Sequence, residues 1–168
     1  MKSECEVGQL EGEYVMDEEI SLAPFVALSM YSVRRMLRLA NVGPNDIVYD
    51  LGSGDGRIVI TAVHEFDAKK GVGIELRKDL IRLAHAQIKK LNLARRVKII
   101  QGNVLETPIG EADVITLYLS TKGNEMLRPK LERELKPGSK VVSLDYKISR
   151  WRPAKVEGLW REIYLYQR

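Results

Sequence analysis

A glycine-rich segment with two acidic residues holds the residue types in this chain that could do chemistry. It reads Asp50-Leu51-Gly52-Ser53-Gly54-Asp55-Gly56-Arg57. Apolar runs at residues 47–49 and 58–63 flank it, and together they predict a strand, a tight turn and a helix. Glycines let the backbone turn sharply and let a ligand approach it, and a helix N-terminus offers unpaired N–H groups. The segment therefore predicts a site for a nucleotide-like ligand.

The carboxylates of Asp50 and Asp55 indicate the charge of that ligand. Two carboxylates would repel a pyrophosphate, whereas they would attract an amino group or a sulfonium. The dinucleotide fingerprint G-x-G-x-x-G also requires its third glycine where Arg57 stands. Both observations favour S-adenosylmethionine, whose amino group and sulfonium are cationic, over a nicotinamide dinucleotide.

Strand-like and helix-like segments alternate along the chain and must position this turn. The periodicity predicts helices over residues 29–40, 56–66, 78–91 and 123–135, and strands over residues 46–50, 71–75, 97–100, 113–119, 140–145 and 160–167. Such alternation predicts an α/β fold, a Rossmann-like doubly wound sheet that is mostly parallel with helices on both faces. Gly158, ahead of the last strand, predicts a C-terminal antiparallel hairpin at or near one edge.

Further candidate ligand contacts follow the other predicted strands, where ligands of doubly wound sheets bind. Glu75 ends the second strand, and its carboxylate could accept hydrogen bonds from both hydroxyls of a ribose. Asn103 follows the third strand, and its amide can donate and accept at once, which suits an adenine edge. Tyr118 and Leu119 end the fourth strand, where the substrate should meet the transferred group.

The glycine-rich segment resembles motif I of the class I methyltransferases, which use S-adenosylmethionine. Residues 124–138, and later Trp151, Pro153 and Trp160, extend the resemblance to small archaeal protein-lysine methyltransferases and to the family that methylates a lysine of the ATP synthase c subunit. The resemblance covers roughly residues 24–168, and it implies that residues 24–26 help to close over the cofactor. The residues expected to bind the cofactor are Asp50, Gly52, Ser53, Gly54, Asp55, Gly56, Glu75, Asn103 and Leu119.

The same resemblance implies that a protein lysine is the methyl acceptor. A lysine amine must be neutral before it accepts a methyl group, although its free pKa is about 10.4. Burial in an apolar channel lowers that pKa, so positioning and desolvation could suffice without a dedicated base. Tyr118 is expected to line the lysine channel and Asn124 to fix its rim, which makes these two the candidate catalytic residues.

Charge is unevenly distributed along the chain. Residues 1–20 carry a net charge of −6 against +4 for the whole chain, so the remainder carries about +10. We expect residues 1–20 to be an acidic, partly disordered tail, or a flap that tunes substrate access, and residues 21–168 to form a single domain. The basic remainder leaves an RNA methyltransferase open as an alternative. A small-molecule methyltransferase and a non-catalytic S-adenosylmethionine-binding partner protein are further alternatives.

Several features argue against other classes of function. Cys5 is the only cysteine, so an intramolecular disulfide is impossible, and no metal site is expected. No apolar run approaches the ~18 residues of a membrane span, and a cytoplasmic location is the default expectation. His64 and His85 lie on predicted helices and suit surface or packing roles. Trp151 and Trp160 are expected to pack rather than to stack on bases.

Overall fold

Among residues 22–168, which the computed structural model describes, one seven-stranded sheet carries four helices. The predicted acidic tail, residues 1–20, lies outside the described residues. The helices are α1 Met30–Leu39, α2 Arg57–Glu65, α3 Lys78–Lys90 and α4 Thr121–Glu134. The strands are β1 Ile47–Leu51, β2 Lys70–Glu75, β3 Val97–Gln101, β4 Val114–Leu117, β5 Lys140–Leu144, β6 Lys155–Glu157 and β7 Ile163–Gln167.

The strand order confirms the predicted doubly wound sheet. It is β3-β2-β1-β4-β5-β7-β6, with β1 to β5 parallel and β7 antiparallel to both of its neighbours. The predicted C-terminal hairpin is therefore confirmed as β6 and β7. The order reverses between β1 and β4, and this switch point is where doubly wound sheets bind their ligands.

Helices cover both faces of the sheet, which explains why its central strands are almost continuously apolar. Helices α1, α2 and α3 pack on one face, and α4 packs on the other face with residues 104–112. Close packing of α2 on β2 requires a glycine, because a Cβ at Gly71 would lie 2.8 Å from the carbonyl oxygen of Val59.

A serine cap sets the end of β4 and the start of α4. Ser120 Oγ accepts a hydrogen bond from the Gly123 N–H at 2.9 Å, an arrangement typical of a helix N-cap. The same hydroxyl donates to the Leu22 carbonyl oxygen at 3.0 Å. As a result β4 ends at Leu117, two residues earlier than predicted, and residues 118–119 lie in the connection to α4.

Candidate functional site

A cleft opens at the carboxyl ends of β1, β2 and β4, at the switch point of the sheet. The glycine turn forms its floor, and residues 22–28 cross it from the start of α4 to the start of α2. The residues that line it are Leu22, Ala23, Pro24, Phe25, Val26, Leu28, Asp50, Gly52, Ser53, Asp55, Arg57, Ile58, Ile74, Glu75, Leu76, Arg77, Leu80, Val104, Tyr118 and Leu119.

Most of the predicted site residues meet in this cleft, and four do not line it: Gly54, Gly56, Asn103 and Asn124. Gly54 and Gly56 shape the turn itself, with φ angles of 55° and 78° that side chains rarely adopt. Gly56 is also the N-cap of α2, where no side chain caps the helix. Apart from the Arg57 N–H, which donates to Asp55 Oδ1 at 3.3 Å, the first turn of α2 therefore keeps N–H groups that a ligand can use.

Asn103 uses its side chain inside its own turn. Its Oδ1 accepts from the Leu105 N–H at 2.9 Å, and its Nδ2 donates to Glu106 Oε1 at 3.3 Å. The next residue, Val104, lines the cleft in its place. An adenine contact through the Asn103 amide would first have to break these two bonds.

Asn124 is fully buried behind the cleft rather than at its rim. Its Nδ2 donates to Ser143 Oγ at 3.1 Å and to the Tyr146 carbonyl oxygen at 2.9 Å. This amide therefore fixes the connection after β5. The Tyr146 ring in that connection lies 6.4 Å from the Tyr118 ring, centroid to centroid. Any influence of Asn124 on the cleft is thus indirect, through Tyr146.

Glu75 joins the glycine turn to the end of β2. Its Oε2 accepts from the Gly54 N–H at 2.8 Å, and its Oε1 accepts from the Leu76 and Arg77 N–H groups at 2.9 Å each. The residue is only 9% exposed. Since an ionised carboxylate offers about four acceptor sites, these three bonds orient it and leave capacity for a ligand hydroxyl.

Asp50 is a buried carboxyl at the centre of the sheet. Burial raises its pKa to about 7; a hydrogen bond from Thr116 opposes the rise, and the carboxylates of Glu75 and Asp55 add to it. Thr116 Oγ1 donates to Asp50 Oδ1 at 2.7 Å from the neighbouring strand β4. A buried carboxyl of this kind binds a cationic group strongly, because ionisation and pairing then favour each other.

Asp55 differs from the expectation of a free carboxylate at the mouth of the site. It forms an ion pair with Arg57, whose Nε lies 2.9 Å from Asp55 Oδ1. Burial alone would raise the pKa of Asp55, but the hydrogen bonds and charge of Arg57 outweigh it and lower this pKa. Arg57 also donates to the Leu28 carbonyl oxygen. The pair therefore holds residues 22–28 over the cleft and neutralises one of the three acids that line it.

Tyr118 lines the cleft and is held from the hairpin by residues that the sequence did not indicate. Arg161 Nη2 donates to the Tyr118 hydroxyl at 2.8 Å, and the guanidinium lies 5.2 Å from the ring centroid. Asp145 fixes Arg161 in turn, with Oδ2 at 3.0 Å from Nε. No local pattern could have revealed this trio, since 43 residues separate Arg161 from Tyr118.

The donor set of the cleft fits S-adenosylmethionine. The glycine turn presents backbone where side chains would intrude: a Cβ at Gly52 would lie 2.9 Å from Leu119 Cδ2. Asp50 and Glu75 suit a cationic amino group and a ribose, and Ser53 Oγ is buried without a hydrogen-bond partner in the structure of residues 22–168. Within the same described part of the chain, no group of three or more His, Cys, Asp or Glu could hold a metal ion. No helix there is long and apolar enough to cross a membrane.

Comparisons with known proteins agree with this fit. The model of the ANTKMT methyltransferase domain matches residues 50–155. A protein-lysine N-methyltransferase of Saccharolobus islandicus (strain REY15A) is 51% identical over 133 residues, 79% of this chain and 83% of the relative. The adenine nucleotide translocase lysine N-methyltransferase of Mus musculus is 30% identical over 80% of this chain, which spans 58% of that relative's length.

A solved structure of a similar protein contains the demethylated form of this cofactor. It is described as an RNA methyltransferase from Salinibacter ruber in complex with S-adenosyl-L-homocysteine, and it is 43% identical with a TM-score of 0.82. The match covers 84% of this chain and 93% of that chain. With the matching family model, these relatives show that the chain belongs to the ANTKMT methyltransferase family and is an S-adenosylmethionine-dependent methyltransferase.

Proposed function

We propose that this enzyme is a protein-lysine N-methyltransferase. The observation that carries the proposal is the chemistry of the cleft wall beside Tyr118. The acids that line the cleft are each engaged: Asp50 with Thr116, Glu75 with backbone N–H groups, and Asp55 with Arg57. No histidine lines it. Such a wall suits an acceptor that loses its proton through burial, as a lysine amine does, and the name of the archaeal relative supports this choice.

When bound, S-adenosylmethionine supplies a methyl group on a positively charged sulfur. In this proposal Glu75 holds the ribose hydroxyls, and Asp50 holds the cationic amino group. Gly52 brings its backbone to the cleft beside Leu119, and Gly54 leaves room for the Phe25 ring against the turn. The role of Asn124 becomes that of a positioning residue, because its amide supports the connection after β5.

The acceptor lysine would enter past Tyr118 and lose its charge there. Leu119 and Val26 line the cleft with Tyr118, and apolar walls lower the pKa of an amine. Arg161 lies behind the Tyr118 ring, and its positive charge also disfavours the protonated amine, although Asp145 partly neutralises it. The entering lysine gives up this one proton to water, and the neutral amine then needs only correct placement. Its nitrogen takes the methyl group as the methyl–sulfur bond breaks, so the sulfur becomes neutral and the product leaves as a methylated ammonium.

An RNA methyltransferase is the second candidate. The Salinibacter ruber structure carries that description at 43% identity, and residues 21–168 carry about +10 of net charge. Incubation with methyl-labelled cofactor and a cell extract, followed by digestion with either protease or ribonuclease, separates the two. We expect label that protease releases and ribonuclease does not. Label that only ribonuclease releases would replace the lysine proposal with the RNA one.

Replacing Tyr118 tests the wall of the proposed lysine channel. Tyr118→Ala removes the ring and the partner of Arg161, and we expect turnover at saturating substrates to fall about 100-fold, the effect of misplacing a reacting group. Tyr118→Phe keeps the ring and should lose less. Affinity for S-adenosylmethionine, measured by calorimetry, should stay near the wild-type value in both variants. Wild-type turnover of Tyr118→Ala would remove this residue from the channel.

Replacing Gly54 tests the contact between the glycine turn and Phe25 of residues 22–28. Its φ is +55°, and a Cβ there would lie 2.4 Å from Phe25 Cε2. We expect Gly54→Ala to weaken cofactor binding about tenfold and to lower the free energy of unfolding by about 1–2 kcal/mol. Calorimetric titration and urea unfolding measure the two effects.

Two other glycines are matched controls for Gly54. Gly138 has a φ of +86° but nothing within 4 Å of a Cβ, so Gly138→Ala should lose stability and keep cofactor affinity. Gly43→Ala meets neither strain nor contact and should behave as the wild type. Equal cofactor affinities for Gly54→Ala and Gly138→Ala would show that the Phe25 contact has no part in binding.

A further inference from the structure

The turn between β6 and β7 exposes two large apolar side chains. Leu159 is 96% exposed and Trp160 is 97% exposed. The prediction that both tryptophans pack is therefore wrong for Trp160, whereas Trp151 does pack edge-on against Tyr166 with centroids 5.7 Å apart. A pair of adjacent apolar residues held almost entirely in water costs solvation free energy, and such surfaces mark binding sites.

This turn lies at the mouth of the cleft. Strand β7 runs antiparallel to β5, and Ile163 pairs with Leu144, so the turn before β7 sits at the carboxyl ends of the parallel strands. Arg161, the residue after Trp160, donates to the Tyr118 hydroxyl that lines the cleft. One residue thus separates the exposed indole from the wall of the proposed lysine channel.

Two further exposed apolar side chains, Tyr31 and Val26, lie on segments that contact the hairpin or line the cleft. Arg35 of α1 donates to the Glu157 carbonyl oxygen at 3.3 Å and covers the ring of Tyr31, with its guanidinium carbon 5.7 Å from the centroid. Tyr31 is 69% exposed. Val26, which lines the cleft, is 55% exposed. We call the surface formed by Val26, Tyr31, Leu159 and Trp160 the docking patch.

The charges around the docking patch favour a polypeptide over a phosphate-bearing partner. Arg161 is engaged by Asp145, and Arg35 lies 3.6 Å from a carboxylate oxygen of Glu157. Cations already paired with carboxylates attract phosphates weakly, while binding to nucleic acid or to an anionic membrane depends on free cations. Leu159 and Val26 add aliphatic surface to the aromatic rings of Trp160 and Tyr31, and a mixed apolar surface of this kind suits the side chains of a polypeptide.

We propose that Leu159 and Trp160 bind the protein substrate through an apolar side chain next to the target lysine, an inference that rests on the proposed lysine methylation. Aromatic anchors at the centre of an interface supply much of its binding free energy. An apolar substrate residue seated here would also exclude water from the mouth of the channel, which favours the neutral amine. Arg161 links substrate docking to the lysine channel, because it follows Trp160 in the β6–β7 turn and donates a hydrogen bond to Tyr118.

The test compares the wild type with the double variant Leu159→Ser/Trp160→Ala. Initial rates of methyl transfer are measured with labelled cofactor and a ribonuclease-treated total protein extract at increasing concentration. We expect the apparent KM for protein to rise about tenfold, with the maximal rate and the calorimetric affinity for S-adenosylmethionine unchanged. An unchanged KM overturns the docking role. A wild type that binds the cofactor but labels no protein overturns the proposed function, and the docking role with it.

Two controls identify other uses of the turn. Leu83 is a matched apolar site, 56% exposed on α3, which packs near the sheet edge opposite the β6–β7 hairpin, and Leu83→Ser should leave the KM unchanged. Co-sedimentation with phosphatidylglycerol vesicles, or retention on total RNA, is measured for the wild type and the double variant. If the wild type binds vesicles or RNA, the double variant does not, and both have the same KM for protein, the turn contacts a membrane or RNA rather than the protein substrate.

Replacing Arg161 distinguishes the positioning of Tyr118 from the docking of the substrate. A lysine at this position keeps the charge but cannot span both Asp145 and the Tyr118 hydroxyl. We expect Arg161→Lys to lower kcat about tenfold through a displaced Tyr118, with little change in KM. The double variant Leu159→Ser/Trp160→Ala is expected to do the reverse. A rise in KM at unchanged kcat would contradict a positioning role for Arg161.

Discussion

Glu75→Ala is expected to abolish measurable binding of S-adenosylmethionine and to destabilise the protein. The carboxylate accepts three backbone hydrogen bonds, from Gly54, Leu76 and Arg77. Their loss leaves the buried Gly54 N–H without an acceptor and frees the turn from β2. Unsatisfied buried donors cost about 1–3 kcal/mol each, and bonds to a charged acceptor are the stronger ones, so we expect about 3 kcal/mol less free energy of unfolding.

Glu75→Gln is the matched control for that result. Its single carbonyl oxygen can keep part of the backbone bonding, so most of the stability should return while cofactor affinity stays low. Urea unfolding and calorimetric titration of the three proteins provide the comparison. Wild-type cofactor affinity in either variant would contradict the assignment of Glu75 to the ribose.

Asp50→Asn is expected to have opposite effects on stability and on binding. The folded-state pKa of Asp50 is raised to about 7 from the ordinary value of 3.8. Between these values the folded state binds the proton more tightly than the unfolded state, so this residue lowers stability progressively as pH rises through that interval. An asparagine has no such penalty and can still accept from Thr116. We therefore expect Asp50→Asn to raise the free energy of unfolding at pH 8, by roughly 4 kcal/mol at most.

The pH dependence of both proteins tests this account. The stability difference should vanish near pH 4, where Asp50 is protonated in the folded wild type. In the wild type, affinity for S-adenosylmethionine should fall as pH drops below about 7. In Asp50→Asn affinity should be low throughout and lack this dependence on pH. A variant that is less stable than the wild type at pH 8 would contradict the raised pKa of Asp50. A variant that binds the cofactor as tightly as the wild type would show that Asp50 does not face a cationic ligand.

The sheet and the floor of the cleft were predictable because their signals are local. The apolar run of β1, the glycines of the turn and the helical periodicity of α2 all fall within 20 residues of one another. Glu75 was predictable for the same reason, since it ends an apolar strand. Thr116 was missed, although a polar residue inside the apolar strand Val114–Leu117 is a signal. Parallel pairing of β1 with β4 places it directly beside Asp50.

The walls of the cleft were less predictable because they depend on contacts between distant segments. In the sequence, Arg57 was notable only because it stands where the dinucleotide fingerprint has its third glycine. Its ion pair with Asp55 neutralises one of the two carboxylates that were expected at the mouth of the cleft. Asn103 was assigned to the cleft from its place after β3, but the tight turn there uses its amide locally. The exposure of Trp160 could not be read from its residue type, because most tryptophans are largely buried.

The most direct test of the central claim is the identity of the methylated residue. Protein from an extract treated with the enzyme and methyl-labelled S-adenosylmethionine is hydrolysed completely in acid, and the amino acids are separated by chromatography. The account predicts that the label co-migrates with methylated lysines and that Tyr118→Ala depletes it. Label in another amino acid, or none in protein while ribonuclease digestion releases labelled nucleotides, would contradict lysine methylation.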